Sequence, residues 1–171
     1  MYGTVRQLGD GRWQLRFIRR LPHGQAKVWR AVTEDEELAK WFPTTIEGER
    51  RSGARLRYAF PGGQAPPMEG EMLVYEPESV VELRWGPDVL RMELSQVDEG
   101  TELTLLHTFA ERGKAARDGA GWHVCLDALT AALSGGAGSR EQMSAWREVH
   151  PRYVQSFGPE AATIGPPDRS G

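Results

Sequence analysis

The stretch VWRAVTEDEELAKWF, residues 28–42, contains the signals that decide how the fold begins. Val28, Trp29 and Val32 recur at helical spacing, which predicts a short helix over residues 24–31. The apolar side chains of that helix share one face, so it is expected to pack against a sheet or a longer helix.

A second helix is predicted in the remainder of the same stretch. Thr33 is followed three residues later by Glu36, which is the spacing of a capping box. Consecutive acids at residues 34–37 suit a helix N-terminus, because the helix dipole is positive there. Leu38 and the aromatic pair at 41–42 form an apolar stripe, and Pro43 ends the helix.

Strands are predicted on both sides of this helix pair. Before it, Asp10-Gly11 is a hairpin signal between strands at 4–7 and 12–20. After it, alternating segments separated by short turn sequences predict an antiparallel meander of about six strands. The clearest of these segments are residues 55–60, 68–75, 80–85, 89–97 and 102–109.

The C-terminal third changes to helical periodicity. A long helix is predicted over residues 114–134, with one apolar stripe that needs the sheet as its partner. The predicted division is therefore a domain over 1–137, a helical extension over 138–158 and a disordered tail over 159–171. Within the extension, Ser139 with Gln142 forms a second capping box, and Pro151 is expected to break or kink the helix.

Composition narrows the classes of function. The net charge of −3 offers no basic surface for a nucleic acid, and the single cysteine, Cys125, excludes an internal disulfide. No apolar run is long enough to span a membrane, and no signal peptide is predicted, so a cytoplasmic protein is expected. The four histidines lie far apart without a metal-binding motif, so neither a metal nor another cofactor is expected.

The spacing V-W-x-A-V-T-x-x-x-x-L-A-x-W-F of residues 28–42 resembles the START/Bet v 1-like (SRPBCC) superfamily. It is most similar to the branch of activators of the heat shock protein 90 ATPase. Three later segments agree, RSGARLRY, EPESVVELRW and LTLLHTF before GWHVCLDALTAAL, so that the resemblance covers about residues 12–134. It implies an α+β helix-grip fold, in which a curved antiparallel sheet wraps around a long C-terminal helix.

The resemblance also implies a cavity between the sheet and the long helix, which a small hydrophobic molecule would fill. Strand parity and helical spacing select the side chains that face this space. The candidate ligand-binding residues are Trp29, Trp41, Phe42, Tyr58, Phe60, Trp85, Leu105, His107, Phe109, Trp122 and Leu126.

Three classes of function follow from these residues and the resemblance. The first is non-catalytic binding of a small hydrophobic ligand. The second is an enzyme of cyclase or hydratase type with His107 as acid/base, for which Tyr58 is the available polar partner. The third is a protein-interaction module with a chaperone as partner. The apolar face of the C-terminal extension docks on its own chain or on a second copy, and docking on its own chain is favoured.

Overall fold

A computed structural model describes residues 1–136 and 142–166 as an antiparallel sheet packed against helices. The strands are β1 (Thr4–Gln7), β2 (Trp13–Leu21), β3 (Arg55–Tyr58), β4 (Met68–Glu76), β5 (Val80–Trp85), β6 (Asp88–Val97) and β7 (Gly100–Phe109). The helices are α1 (Gln25–Thr33), α2 (Asp35–Leu38), α3 (Ala115–Leu133) and α4 (Gln142–Phe157). Short 3-10 turns occur at Pro61–Gly63, Arg112–Lys114 and Pro159–Ala161.

The seven strands form one antiparallel sheet in the order β1-β2-β7-β6-β5-β4-β3. Five strands, rather than about six, follow the helix pair as a meander. β2 then pairs with β7, so that the N-terminal hairpin extends the sheet at the far end of the meander. The α+β helix-grip fold predicted from the sequence is confirmed, since α3 lies against this curved sheet.

The helix pair differs from its prediction at Thr33. Thr33 is the last residue of α1, and its hydroxyl donates a 2.7 Å hydrogen bond to the carbonyl of Trp29. The predicted capping box is wrong, because this hydroxyl is already used inside α1. α2 is a single turn, and the Trp41 indole after it donates to the carbonyl of Ala31 at 2.8 Å.

α3 is buried on two faces rather than along one stripe. One face carries Trp122 and Leu126 against the sheet, and the other carries Gly119 and His123 beneath α4. A Cβ atom on Gly119 would lie 3.3 Å from the aromatic rings of α4, so glycine allows the two helices to approach closely. None of the helices in the described ranges is long and apolar enough to cross a membrane.

α4 docks on its own chain through Tyr153. The Tyr153 hydroxyl accepts a hydrogen bond from the backbone N–H of Gly3 and bonds to Nδ1 of His123, both at 2.8 Å. The helix continues through Pro151, so Pro151 does not break it. Ser139, the predicted cap of this helix, lies outside the described residues.

Residues 159–166 also pack on the domain, unlike the disordered tail expected there. Ala161 is fully buried, and the backbone N–H of Ile164 donates to the carbonyl of Gly113 at 3.0 Å. The buried side chain of Ala161 and this backbone hydrogen bond hold the segment against the domain, although its proline and glycine content is typical of disorder. Residues 167–171 lie outside the described ranges.

Candidate functional site

Aromatic side chains fill the space between the sheet and the first half of α3. The ring of Trp85 lies 4.8 Å from that of Tyr58, 5.5 Å from that of Phe42 and 6.0 Å from that of Trp122, measured between centroids. The space between the sheet and the middle of α3 is therefore filled by side chains, and the candidate binding space lies at the N-terminal end of α3.

A pocket of about 480 Å³ lies at that end, and we call it the α3-end pocket. It is bounded by the N-terminal half of α3, the β5–β6 turn and the loop between β3 and β4. Its lining residues are Pro43, Phe60, Ala65, Met68, Trp85, Gly86, Pro87, Asp88, His107, Lys114, Arg117, Asp118, Gly121, Trp122 and Cys125.

The β5–β6 turn brings an aromatic and an acidic side chain to the pocket. Gly86 and Pro87 form a two-residue connection, in which Gly86 adopts a φ of +57° that favours glycine. Trp85 and Asp88 are consequently a cross-strand pair, so their side chains share one face of the sheet.

Asp88 is the centre of the polar part of the pocket. Its Oδ2 atom accepts hydrogen bonds from His107 Nε2 at 2.9 Å and from the ammonium of Lys114. Burial by itself raises the pKa of this carboxyl, but the His107 and Lys114 hydrogen bonds outweigh it and hold the pKa below its usual range. Asp88 is thus an anion at neutral pH, neutralised by the Lys114 cation.

His107 uses both ring nitrogens inside the protein. The indole N–H of Trp122 donates to His107 Nδ1 at 3.1 Å, and an indole nitrogen is only a donor. Nδ1 is therefore the unprotonated nitrogen, and the proton lies on Nε2, which donates it to Asp88. The side chain of His107 is 2% exposed, so this arrangement orients the ring rather than presenting it to a ligand.

The remaining charges at the pocket are also paired. The Arg117 guanidinium lies 2.8 Å from the carboxylate of Asp118. Asp88, His107 and Asp118 hold potential metal-ligating atoms within 4.8 Å of one another. However, Lys114 and Arg117 already bind the two carboxylates, so the protein itself supplies the cations that balance them.

Two small residues of α3 complete the lining. A Cβ atom on Gly121 would meet no atom within 4 Å, so this position opens directly onto free space. Cys125 is buried, and this burial raises the pKa of its thiol to about 12. The thiol is consequently protonated and unreactive at neutral pH, as its place on an apolar helix stripe indicates.

The structure distributes the predicted ligand-binding residues over three places. The α3-end pocket is lined by Phe60, Trp85, His107 and Trp122, and a separate pocket beside α2 is lined by Phe42. The remaining candidates lie in the packed core and line neither pocket, namely Trp29, Trp41, Tyr58, Leu105, Phe109 and Leu126.

Tyr58 does not serve as the polar partner of His107. Its hydroxyl donates to the backbone carbonyl of Arg84 at 2.7 Å. The partner is Asp88 instead, a residue that is not among those predicted from the sequence. The signal was the parity of Asp88 with Leu90 and Met92, which places a carboxylate on the inward face of β6.

Comparison with known proteins agrees with this fold. The family model for "Activator of Hsp90 ATPase homolog 1-like protein" matches residues 23–134. The chain belongs to this family. The resemblance stated from the sequence is thereby confirmed, and the matched residues include every residue that lines the α3-end pocket.

Solved structures show the same fold beyond the matched range. CalU16 from Micromonospora echinospora is 23% identical, with a TM-score of 0.73 over 91% of this chain and 96% of its own. EF2215 from Enterococcus faecalis is 19% identical, with a TM-score of 0.75 over 91% of this chain and 90% of its own.

A third solved structure, DynU16, is described as a protein in the dynemicin biosynthetic locus. It is 27% identical, with a TM-score of 0.66 over 74% of this chain and 49% of its own. A search of curated proteins found no match.

Proposed function

We propose that the protein binds a small apolar molecule in the α3-end pocket without catalysing a reaction on it. The observation that carries this proposal is the lining itself, in which Trp85, Trp122, Phe60 and Met68 surround charges that are already paired. A volume of about 480 Å³ is within the range of pockets that hold small ligands. The likeness to a protein of a biosynthetic locus is consistent with a small-molecule ligand.

The charge balance of the pocket favours a ligand with no net charge. Lys114 is bound to Asp88, and Arg117 is bound to Asp118. A charged ligand would have to compete with one of these pairs, which costs free energy because both pairs are partly removed from water. An uncharged aromatic molecule can instead stack on the rings of Trp85 and Phe60.

The arrangement of His107 disfavours the enzyme hypothesis. Acting as acid/base, His107 would have to break its hydrogen bond to Asp88 or the one from Trp122. The chaperone hypothesis lacks its expected surface as well, since Met1 and Tyr2 are the large apolar side chains exposed in the described ranges.

Gly121 provides the test of the proposal. A Cβ atom at position 121 meets no atom within 4 Å, so Gly121→Leu extends its side chain into the open space of the pocket, whereas Gly121→Ala adds helix propensity at the same position and little volume. Uniformly ¹⁵N-labelled protein is titrated with 1-naphthol, and the indole N–H signals of Trp85 and Trp122 are followed. We expect both signals to shift in the wild type and in Gly121→Ala.

In Gly121→Leu the same shifts should require roughly ten-fold or more 1-naphthol. A loss of about 1.4 kcal/mol of binding free energy, from packing that the leucine displaces, raises the Kd ten-fold. Trp29, whose ring packs near Tyr75 and lines neither pocket, serves as the internal control and should not respond. Wild-type protein in which neither pocket indole responds at millimolar probe, or Gly121→Leu with unchanged shifts, would contradict the proposal.

A further inference from the structure

A second pocket, of about 530 Å³, lies beside α2, and we call it the α2 pocket. Its apolar lining comes from Leu38, Phe42, Ile46 and Pro61, and Thr44 also lines it. We infer that the α2 pocket is a second binding site, for a small uncharged apolar molecule that carries one hydroxyl or carbonyl group. This inference is independent of the function proposed for the α3-end pocket.

The two pockets lie back to back. Phe42 and Pro61 line the α2 pocket, while their chain neighbours Pro43 and Phe60 line the α3-end pocket. The ring of Phe42 also lies 5.5 Å from that of Trp85, which belongs to the α3-end pocket. The wall between the pockets is therefore about one side chain thick.

Thr44 indicates the polar part of the ligand. The residue is 3% exposed, and its hydroxyl has no hydrogen-bond partner among the described residues. A buried hydroxyl without a partner is unfavourable. Rotation about χ1 moves the threonine hydroxyl to another staggered position, so a ligand hydroxyl or carbonyl in the pocket can pair with it.

The ion pairs at the edge of the α2 pocket favour an uncharged ligand. Asp35 is bound to Arg50 at 2.7 Å, and Glu47 is bound to Arg57 at 2.9 Å. Both acids are paired within the protein, although their side chains are 81% and 53% exposed. An uncharged molecule leaves these ion pairs undisturbed, and this decides the charge of the inferred ligand.

The test uses the full chain with Gly121→Leu as background, so that the α3-end pocket is blocked. Native mass spectrometry counts bound 1-naphthol, and calorimetry gives its affinity. We expect one 1-naphthol per chain in this background. Ala39→Trp, at the edge of the α2 pocket, should remove it, and Lys40→Trp, which does not line the pocket, should keep it.

Thr44→Val tests the hydroxyl separately, since valine has the same shape. In the same background we expect roughly five-fold weaker binding of 1-naphthol, in line with the loss of one hydrogen bond, and unchanged binding of 1-methylnaphthalene. Thermal unfolding of each variant checks that it is folded.

Two results would overturn the inference. The first is that the Gly121→Leu protein retains no 1-naphthol although the wild type binds one, which leaves the function proposed for the α3-end pocket standing. The second is that Thr44→Val weakens both probes equally or neither of them. Conversely, a probe that stays bound in Gly121→Leu and is lost in Ala39→Trp supports the second site even if the α3-end pocket binds nothing.

Discussion

At the scale of single residues, Asp88 determines the polar geometry of the α3-end pocket. One carboxylate oxygen of Asp88 accepts hydrogen bonds from both His107 and Lys114, and the side chain of Asp88 is 5% exposed. The sequence predicts Asp88 in a turn and Lys114 at the start of the long helix, more than twenty residues apart. The contact between Asp88 and Lys114 depends on how α3 crosses the sheet, and the hydrophobic periodicity of the sequence does not determine that crossing.

Asp88→Asn should lower the free energy of unfolding at pH 7 by about 3 kcal/mol, because it leaves the Lys114 cation without its anion in a buried site. Denaturant unfolding measures this change. Glu37→Gln is the control, since its ion pair with Lys40 is exposed and should contribute at most about 1 kcal/mol. Equal losses in the two variants would contradict the role given to Asp88.

The same variant predicts a pH dependence. The pKa of Asp88 is lowered in the folded protein, so its stabilising contribution is complete above the unfolded value of about 3.9 and is lost as pH falls through the folded pKa. The difference in stability between the wild type and Asp88→Asn should therefore be constant from pH 7 to pH 5 and decrease below pH 4. A difference that grows as the pH falls would contradict this assignment.

At the scale of elements, α3 is held between the sheet and α4. Tyr153 joins α4 to both α3 and the N-terminal segment, through His123 and the backbone of Gly3. Burial raises the pKa of the Tyr153 hydroxyl to about 12, so it stays protonated and can donate to His123. α4 thereby supports the helix that lines the α3-end pocket.

Tyr153→Phe should lower the free energy of unfolding by roughly 1–3 kcal/mol, because it leaves the Gly3 N–H and His123 Nδ1 without partners in a buried region. Tyr75→Phe is the matched control, since the Tyr75 hydroxyl makes no hydrogen bond to the described residues and its ring only packs near Trp29. Urea unfolding compares the two. If both variants lose the same amount, the Tyr153 network does not hold α4.

The sequence predicts the strands and α3 better than the short helices. Alternation defines β4 to β7 within one or two residues, because one face of each strand must be buried. The capping box at Thr33 failed because a hydroxyl near a helix end can bond forward to the next helix or back to its own, and here it bonds back to Trp29. Local pattern alone does not choose between the two.

At the scale of the whole molecule, the family and fold could be predicted from the sequence, whereas the position of the pocket could not. Inward parity selects Trp85 and His107, which line the pocket, and equally Leu105 and Phe109, which fill the core. Whether an inward side chain borders free space depends on the sizes of all its neighbours. That information is tertiary, so periodicity along the chain does not contain it.

The central claim is that the α3-end pocket binds a small uncharged apolar molecule. The most direct measurement is a crystal structure of the wild-type protein soaked with 4-bromo-1-naphthol, in which anomalous scattering locates the bromine. We expect a bromine peak between Trp85, Trp122 and Gly121, with the Asp88 contacts to His107 and Lys114 intact. A fully soaked crystal with no bromine in this pocket would contradict the account.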